Sequence, residues 1–65
     1  MKTGSIVNSL ITLHGYSKTY IAKKLDISEP TLKARLKDGN FKYREIEILI
    51  NLLQIEQPQD IFFKL

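Results

Sequence analysis

The chain has 65 residues and a modest net charge of +3, which suits one small domain. It contains no cysteine, so disulfides and thiolate zinc sites are excluded, and its stability must come from a packed apolar core. No apolar run is long enough to cross a bilayer and the start lacks a signal-peptide pattern, so we expect a cytoplasmic protein that is not bound to a membrane.

The first predicted helix covers about residues 5–14, with Ser5 as a candidate N-cap. Gly15 follows it as a residue able to take the left-handed conformation that ends a helix. The apolar spacing predicts one inward stripe, made of Ile6, Leu10 and Leu13.

The second predicted helix covers about residues 18–25 and is capped by Ser17. Its inward residues are expected to be Ile21, Ala22 and Leu25. Asp26 and Ile27 then form a short turn. Two short helices are therefore expected on either side of a three-residue connection.

Ser28 is the candidate cap of a third helix that reaches about residue 37, with Pro30 in its first turn, where a missing N–H costs little. Leu32 and Leu36 are expected to point inward. At 100° per residue, Pro30 and Ala34 then point outward. Thr31 lies on one side of them, and Lys33 and Lys37 lie on the other.

Residues 38–40 predict a turn before a fourth helix over about residues 43–53. Phe41 is expected to pack at the start of that helix. The inward stripe of the fourth helix comprises Ile46, Leu49, Ile50 and Leu53. A last helical turn begins near Pro58 and carries Ile61 and Phe62. No segment alternates with period two, so the fold class is all-α with five helices.

Charge is unevenly distributed along the chain. Residues 18–44 contain eight Lys or Arg against three acidic residues, a net charge of +5, whereas residues 45–65 have a net charge of −3. A basic middle beside an acidic end indicates a face that attracts polyanions. The alternative is that the lysines only solvate helix surfaces.

The segment 17–39 resembles the helix-turn-helix of Cro-like and XRE-like repressors, through the spacing of Ile21-Ala22, Leu25, Ile27-Ser28, Leu32 and Gly39. The tail at residues 53–62 also resembles the closing segment of those domains. The resemblance implies a single lambda-repressor-like five-helix domain over residues 1–65, with a helix-turn-helix at about 17–38. It also implies a regulator of the bacteriophage repressor type, often a homodimer on a palindromic DNA operator in the bacterial cell. The sequence departs from the family in having Asp26 where glycine is usual.

This resemblance and the helical wheel together give a set of candidate contacts with double-stranded DNA. Base edges would meet Lys33, Thr31, Ala34 and Glu29 of the third helix, which begins at Ser28. Phosphates would meet the N-terminus of the second helix around Thr19. The other candidate phosphate contacts are Lys18, Lys37, Asn40 and Lys42.

Catalysis, metals and cofactors are not expected. No nucleophile, base and acid are spaced as a catalytic set, and no glycine-rich loop suggests a phosphate cofactor. His14, the only histidine, ends the first helix, where a cation is stabilised by the helix dipole, and it has no neighbouring metal ligands.

Aromatic residues offer a second interpretation. Tyr16, Tyr20 and Tyr43 could stack on bases, but packing in or around the core is the favoured role.

The C-terminus contains three apolar residues that we expect to form a homodimer or partner interface, Phe62, Phe63 and Leu65. The alternative function is therefore a protein-interaction module of the same fold that modulates another regulator and has little DNA affinity.

Overall fold

The computed structural model describes residues 3–63, and within them the prediction of an all-α chain with five helices is confirmed. The helices are α1 (Thr3–Leu13), α2 (Lys18–Leu25), α3 (Glu29–Asp38), α4 (Tyr43–Leu52) and α5 (Pro58–Phe62). Helix α1 packs against α3 and α5, and α2 packs against α3 and α4. None of the helices in this part of the chain is long and apolar enough to cross a membrane.

Helix α1 differs from its prediction in where it begins and in which side it buries. It begins at Thr3, so Ser5 lies inside the helix and the prediction of Ser5 as N-cap is wrong. Its fully buried side chains are Val7 and Ile11, which are one position away from the predicted stripe. Leu13 is 79% exposed, so its inward assignment is also wrong, while Ile6 and Leu10 are half-buried.

Gly4 explains why α1 buries Val7 and Ile11 and not the predicted stripe. A Cβ placed on Gly4 would overlap the carbonyl oxygen of Leu36, near the end of α3. The absence of a side chain therefore lets the backbones of α1 and α3 touch, and the residues that follow on the same side, Val7 and Ile11, reach the core. Thr3 adds a hydrogen bond from its hydroxyl to the carbonyl of Ile61, 2.6 Å long, which ties the start of α1 to α5.

The connection between α2 and α3 forms as predicted. Ser17 caps α2 by accepting a hydrogen bond from the backbone N–H of Tyr20. Asp26 ends α2 in the left-handed conformation (φ 58°), and the N–H of Ile27 donates to the carbonyl of Ala22, 3.0 Å away. Aspartate tolerates this conformation better than most residues, so the chain turns here without glycine.

After the C-cap of α4, Leu53, the chain turns at a second left-handed residue that is not glycine, Gln54, with φ 53°. The N–H of Ile55 donates to the carbonyl of Ile50, which satisfies one of the last free carbonyls of α4. A short loop then leads to α5, which begins at Pro58, close to the predicted position.

The core is assembled from four helices and the residue that ends α4. It contains Val7, Ile11, Ile21, Ala22, Leu25, Leu32, Ile46, Leu49 and Leu53. The inward residues predicted for α2 are therefore confirmed, as are Leu32 and three of the four predicted for α4, while Leu36 and Ile50 are half-buried. Phe41 packs against the core from the loop before α4 and meets Phe62 edge to face.

We predict that Gly4→Ala lowers the free energy of unfolding by about 1–3 kcal/mol, because the added methyl group must push α1 away from Leu36. Urea denaturation followed by circular dichroism measures the change. Ser5→Ala is the control, since Ser5 is exposed in the same helix turn and should change stability by less than about 0.5 kcal/mol. Equal stability of the two variants would contradict the close α1–α3 contact.

Candidate nucleic-acid interface

The outward side of α3 is open to solvent. Leu32 is fully buried and holds the opposite side of the helix against the core. Pro30, Lys33, Ala34 and Lys37 are all exposed, as the helical wheel predicts. Any large molecule that approaches this side of α3 would therefore meet two lysines beside the short, uncharged side chains of Pro30 and Ala34.

The starts of α2 and α3 lie side by side and form a shallow groove of about 550 Å³. The groove is lined by Lys18 from α2 and by Glu29, Pro30 and Lys33 from α3. The Thr19 hydroxyl donates to a carboxylate oxygen of Glu29 over 3.0 Å, so it joins the two helices across this groove. The bond orients the Glu29 carboxylate in the groove that Lys18 and Lys33 also line.

The hydroxyls of Ser28 and Thr31 are engaged with each other at the start of α3. Ser28 accepts from the backbone N–H of Thr31 over 3.2 Å, and its own hydroxyl donates to the Thr31 hydroxyl over 2.8 Å. Thr31 is half-buried. Lys33 and Lys37 are therefore the exposed polar residues of the predicted contact set on α3 that make no side-chain hydrogen bond within residues 3–63.

The remaining predicted contacts flank α3. Asn40 is exposed in the loop after Gly39, which ends α3 in the left-handed conformation with φ 76°. Lys42 is exposed at the N-cap position of α4. Together with Lys18 and Lys37, these residues provide donors on both sides of the exposed surface of α3.

A buried carboxylate holds α3 in place, and sequence reasoning missed it. Glu45 is only 1% exposed. Its carboxylate accepts from Arg35 of α3, at 2.9 Å from Nε and 3.3 Å from Nη2, and from the backbone N–H of Lys42 at 3.0 Å. The signal in the sequence is an acid three residues after a helix N-cap and directly before the apolar stripe of α4, a typical capping position.

The charged form of Glu45 is favoured despite its burial. Burial acts to raise the pKa of Glu45, but the hydrogen bonds from Arg35 and Lys42 and the positive charges of Arg35 and Arg44 outweigh it. The pKa of Glu45 is therefore lowered, and the carboxylate stays ionised. The same hydrogen bond raises the pKa of Arg35.

Arg44 makes a second link that the sequence did not predict. Its guanidinium donates to the carbonyl of Leu25, 2.7 Å away, at the C-terminal end of α2. Such an end carries free carbonyls and a partial negative charge, so a guanidinium is well placed there. Helix α4 thus contacts α2 through Arg44 and α3 through Glu45, one residue later.

The tyrosines mostly pack around the rim of the core. Tyr16 is half-buried, packs against the core and stacks with Tyr20 and with His14. Tyr43 is instead 77% exposed and stacks on Phe63, which is 45% exposed. Exposed aromatic surface is therefore present near the C-terminus at Phe63, whereas Phe62 is half-buried and packs against the core. Leu65 lies outside the described residues.

Comparison of the chain with protein-family models, with curated proteins and with solved structures found no match. Function is therefore inferred from the fold, the charges and the exposed side chains. In residues 3–63, no three His, Asp or Glu side chains lie together as a metal site would need.

We predict that Glu45→Gln lowers the free energy of unfolding by about 1–3 kcal/mol near neutral pH, less than for a fully enclosed ion pair because the Arg35 side chain is 21% exposed. Because the folded-state pKa of Glu45 is lowered, this stabilisation is present above the unfolded value of about 4.3 and is lost as pH falls through the folded value. Chemical denaturation at several pH values should show the two proteins converging in acid.

Glu47→Gln is the matched control for this prediction, because Glu47 is exposed on the same helix. We expect it to differ from the parent by less than about 0.5 kcal/mol at every pH. A stability gap for Glu45→Gln that stays constant down to strongly acidic pH would show that the Glu45 charge does not stabilise the fold.

Proposed function

We propose that the chain is a sequence-specific double-stranded DNA-binding regulator of transcription, of the Cro-like phage repressor type, and not an enzyme. In this proposal α2 and α3 form a helix-turn-helix within a lambda-repressor-like domain, and α3 is the recognition helix. One observation carries the proposal: the lysine-flanked side of α3 is exposed, while Leu32 and Arg35 fix the helix to the rest of the fold.

The dimensions support insertion of α3 into DNA. Its 10 residues span roughly 15 Å, and a helix of this kind fits the major groove, which is about 12 Å wide. Lys33 can donate to the acceptor edge of guanine, and Ala34 and the methyl of Thr31 can contact a thymine methyl. Glu29, held by Thr19, can accept from the amino group of cytosine.

Phosphate contacts would come from the flanks of α3. Lys18, Lys37, Asn40 and Lys42 are exposed around it. The free N–H groups at the start of α2 add a further phosphate site. These contacts position the protein without reading sequence, so we expect a salt-sensitive affinity with modest base specificity. Resemblance to Cro-like repressors favours a homodimer on a palindromic operator inside the bacterial cell, with no cofactor.

We predict that duplexes selected by this protein from a random-sequence library bind with an affinity that falls steeply with salt. If about four to six phosphates are neutralised, log K should fall against log salt with a slope of roughly −4 to −5. Replacing both Lys33 and Lys37 with alanine should weaken binding by at least about tenfold, measured by fluorescence anisotropy, because both lysines lie on the exposed side of α3.

The control is the double substitution of Lys23 and Lys24 with alanine, which removes the same charge from exposed positions outside the candidate surface. We expect a distinctly smaller loss of affinity. The proposal fails if no duplex is enriched, if binding is independent of salt, or if the two double variants lose affinity equally.

The exposed stack of Tyr43 and Phe63 favours a second candidate function, a protein-interaction module that modulates another regulator. The ring centroids of Phe63 and Phe62 are 6.3 Å apart, and Phe62 in turn contacts Phe41. The exposed aromatic rings are therefore in contact with those packed against the core. Aromatic surface of this kind is common at the centre of protein interfaces.

Phe63→Asp distinguishes this candidate from the first. In a reporter fused to the DNA that flanks the chain's own gene, an interaction module should lose regulation with Phe63→Asp and keep it when Lys33 and Lys37 are replaced by alanine. Gln59→Asp is the control, since it adds the same charge to α5 without removing an aromatic ring. Regulation that survives Phe63→Asp but not the lysine substitutions contradicts the second candidate.

A further inference from the structure

A second surface lies on other elements of the fold. A groove of about 410 Å³ runs between the middle of α1, the end of α4 and the start of α5. Two glutamines, four aliphatic residues and two acids line it, namely Gln54, Gln57, Leu10, Leu53, Ile55, Ile61, Glu56 and Asp60. None of these residues belongs to the lysine-bearing surface of α2 and α3. The groove therefore needs an explanation of its own.

The apolar part of the groove is incompletely covered. Leu10, Ile55 and Ile61 are only half-buried. Leu13 follows Leu10 by three positions on α1 and so lies one turn further along the same side, where it is 79% exposed. Helix α1 thus has an apolar side in the core and a second apolar side that extends from the groove into solvent.

The charge of the groove is opposite to that of the chain as a whole. Glu56 and Asp60 are exposed, and neither forms an ion pair within residues 3–63. Among the described residues no Lys or Arg lines the groove. A groove lined by aliphatic residues and two exposed acids selects for a partner that carries lysine or arginine beside apolar side chains, and it repels nucleic acid.

We infer that this groove docks a basic amphipathic helical segment of another protein. Apolar residues of that segment, repeated at three and four positions, lie along Leu10, Leu13 and Ile61, and its lysines or arginines pair with Glu56 and Asp60. A second copy of the chain is a poorer match. Its exposed lysines on α2 and α3 lie near Pro30, Ala34 and Tyr20 but near no exposed large aliphatic residue, because among the described residues the only strongly exposed one is Leu13 itself.

The test uses the full chain and an amidated peptide of roughly 15 residues, with leucines at i, i+3, i+4 and i+7 and lysines beside them. A scrambled peptide of the same composition and an analogue with glutamate for lysine serve as peptide controls. In nitrogen-15 spectra of the labelled chain, we expect the first peptide alone to shift signals from the middle of α1 and from residues 53–61. The dissociation constant should rise with salt.

Two pairs of variants test the charge and the apolar contact separately. The double variant Glu56→Gln with Asp60→Asn should weaken peptide binding about threefold to tenfold at low salt. Its matched control, Asp38→Asn with Glu47→Gln, removes two exposed acids elsewhere and should change binding by less than about twofold.

Leu13→Gln should weaken binding by about tenfold, since Leu13 would be buried by the peptide. Thr12→Gln is its control, because Thr12 is exposed on the same helix but does not line the groove.

Four results would overturn the inference. The first is no binding at peptide concentrations of about 1 mM. The second is equal binding of the scrambled peptide, and the third is equal weakening by both charge variants. The last is a dimer of the free chain, measured by sedimentation, that Leu13→Gln dissociates, because the occupant of the groove would then be a second copy.

Discussion

The carboxylate of Glu45 is the contact on which the arrangement of α3 depends. It is buried and ionised, and it accepts hydrogen bonds from Arg35 and from the backbone at the start of α4. A buried charge is costly unless it is fully paired, so the two helices must keep the geometry that pairs it. Helix α3 has only Leu32 fully in the core, and this ion pair gives it a second, directional attachment.

The contacts of α3 with the fold leave its outward side exposed. The core and Glu45 take the side that carries Leu32 and Arg35, and Gly4 lets α1 cover the end of the helix at Leu36. The lysines on the remaining side, Lys33 and Lys37, are exposed and form no ion pair within residues 3–63. Exposed lysines on a helix that the core holds in place are the physical basis of the proposed DNA contact.

The fold also separates charge in space. The lysine-rich α2 and α3 lie together, whereas the acids near the start of α5 border an aliphatic groove. Opposite potentials on different elements allow one small domain to bind two partners of opposite charge without competition between them. Each surface can be altered by substituting its exposed residues without changing the other, so DNA binding and peptide binding can be tested separately.

The sequence by itself determined the elements that depend on local interactions. The caps Ser17 and Ser28 and the turn at Asp26 involve neighbours in the chain, so spacing and residue type predicted them. The exposed side of α3 was also predictable, since 3.6-residue periodicity and two leucines define it.

The tertiary structure alone decided which side of α1 faces the core, because that choice depends on a backbone contact between Gly4 and Leu36, 32 positions apart. It also decided the burial of Glu45, since a carboxylate enters the core only where Arg35 from another helix is present to pair it. Long-range packing and charge pairing leave no periodic trace in one sequence, and for that reason structure was needed to find them.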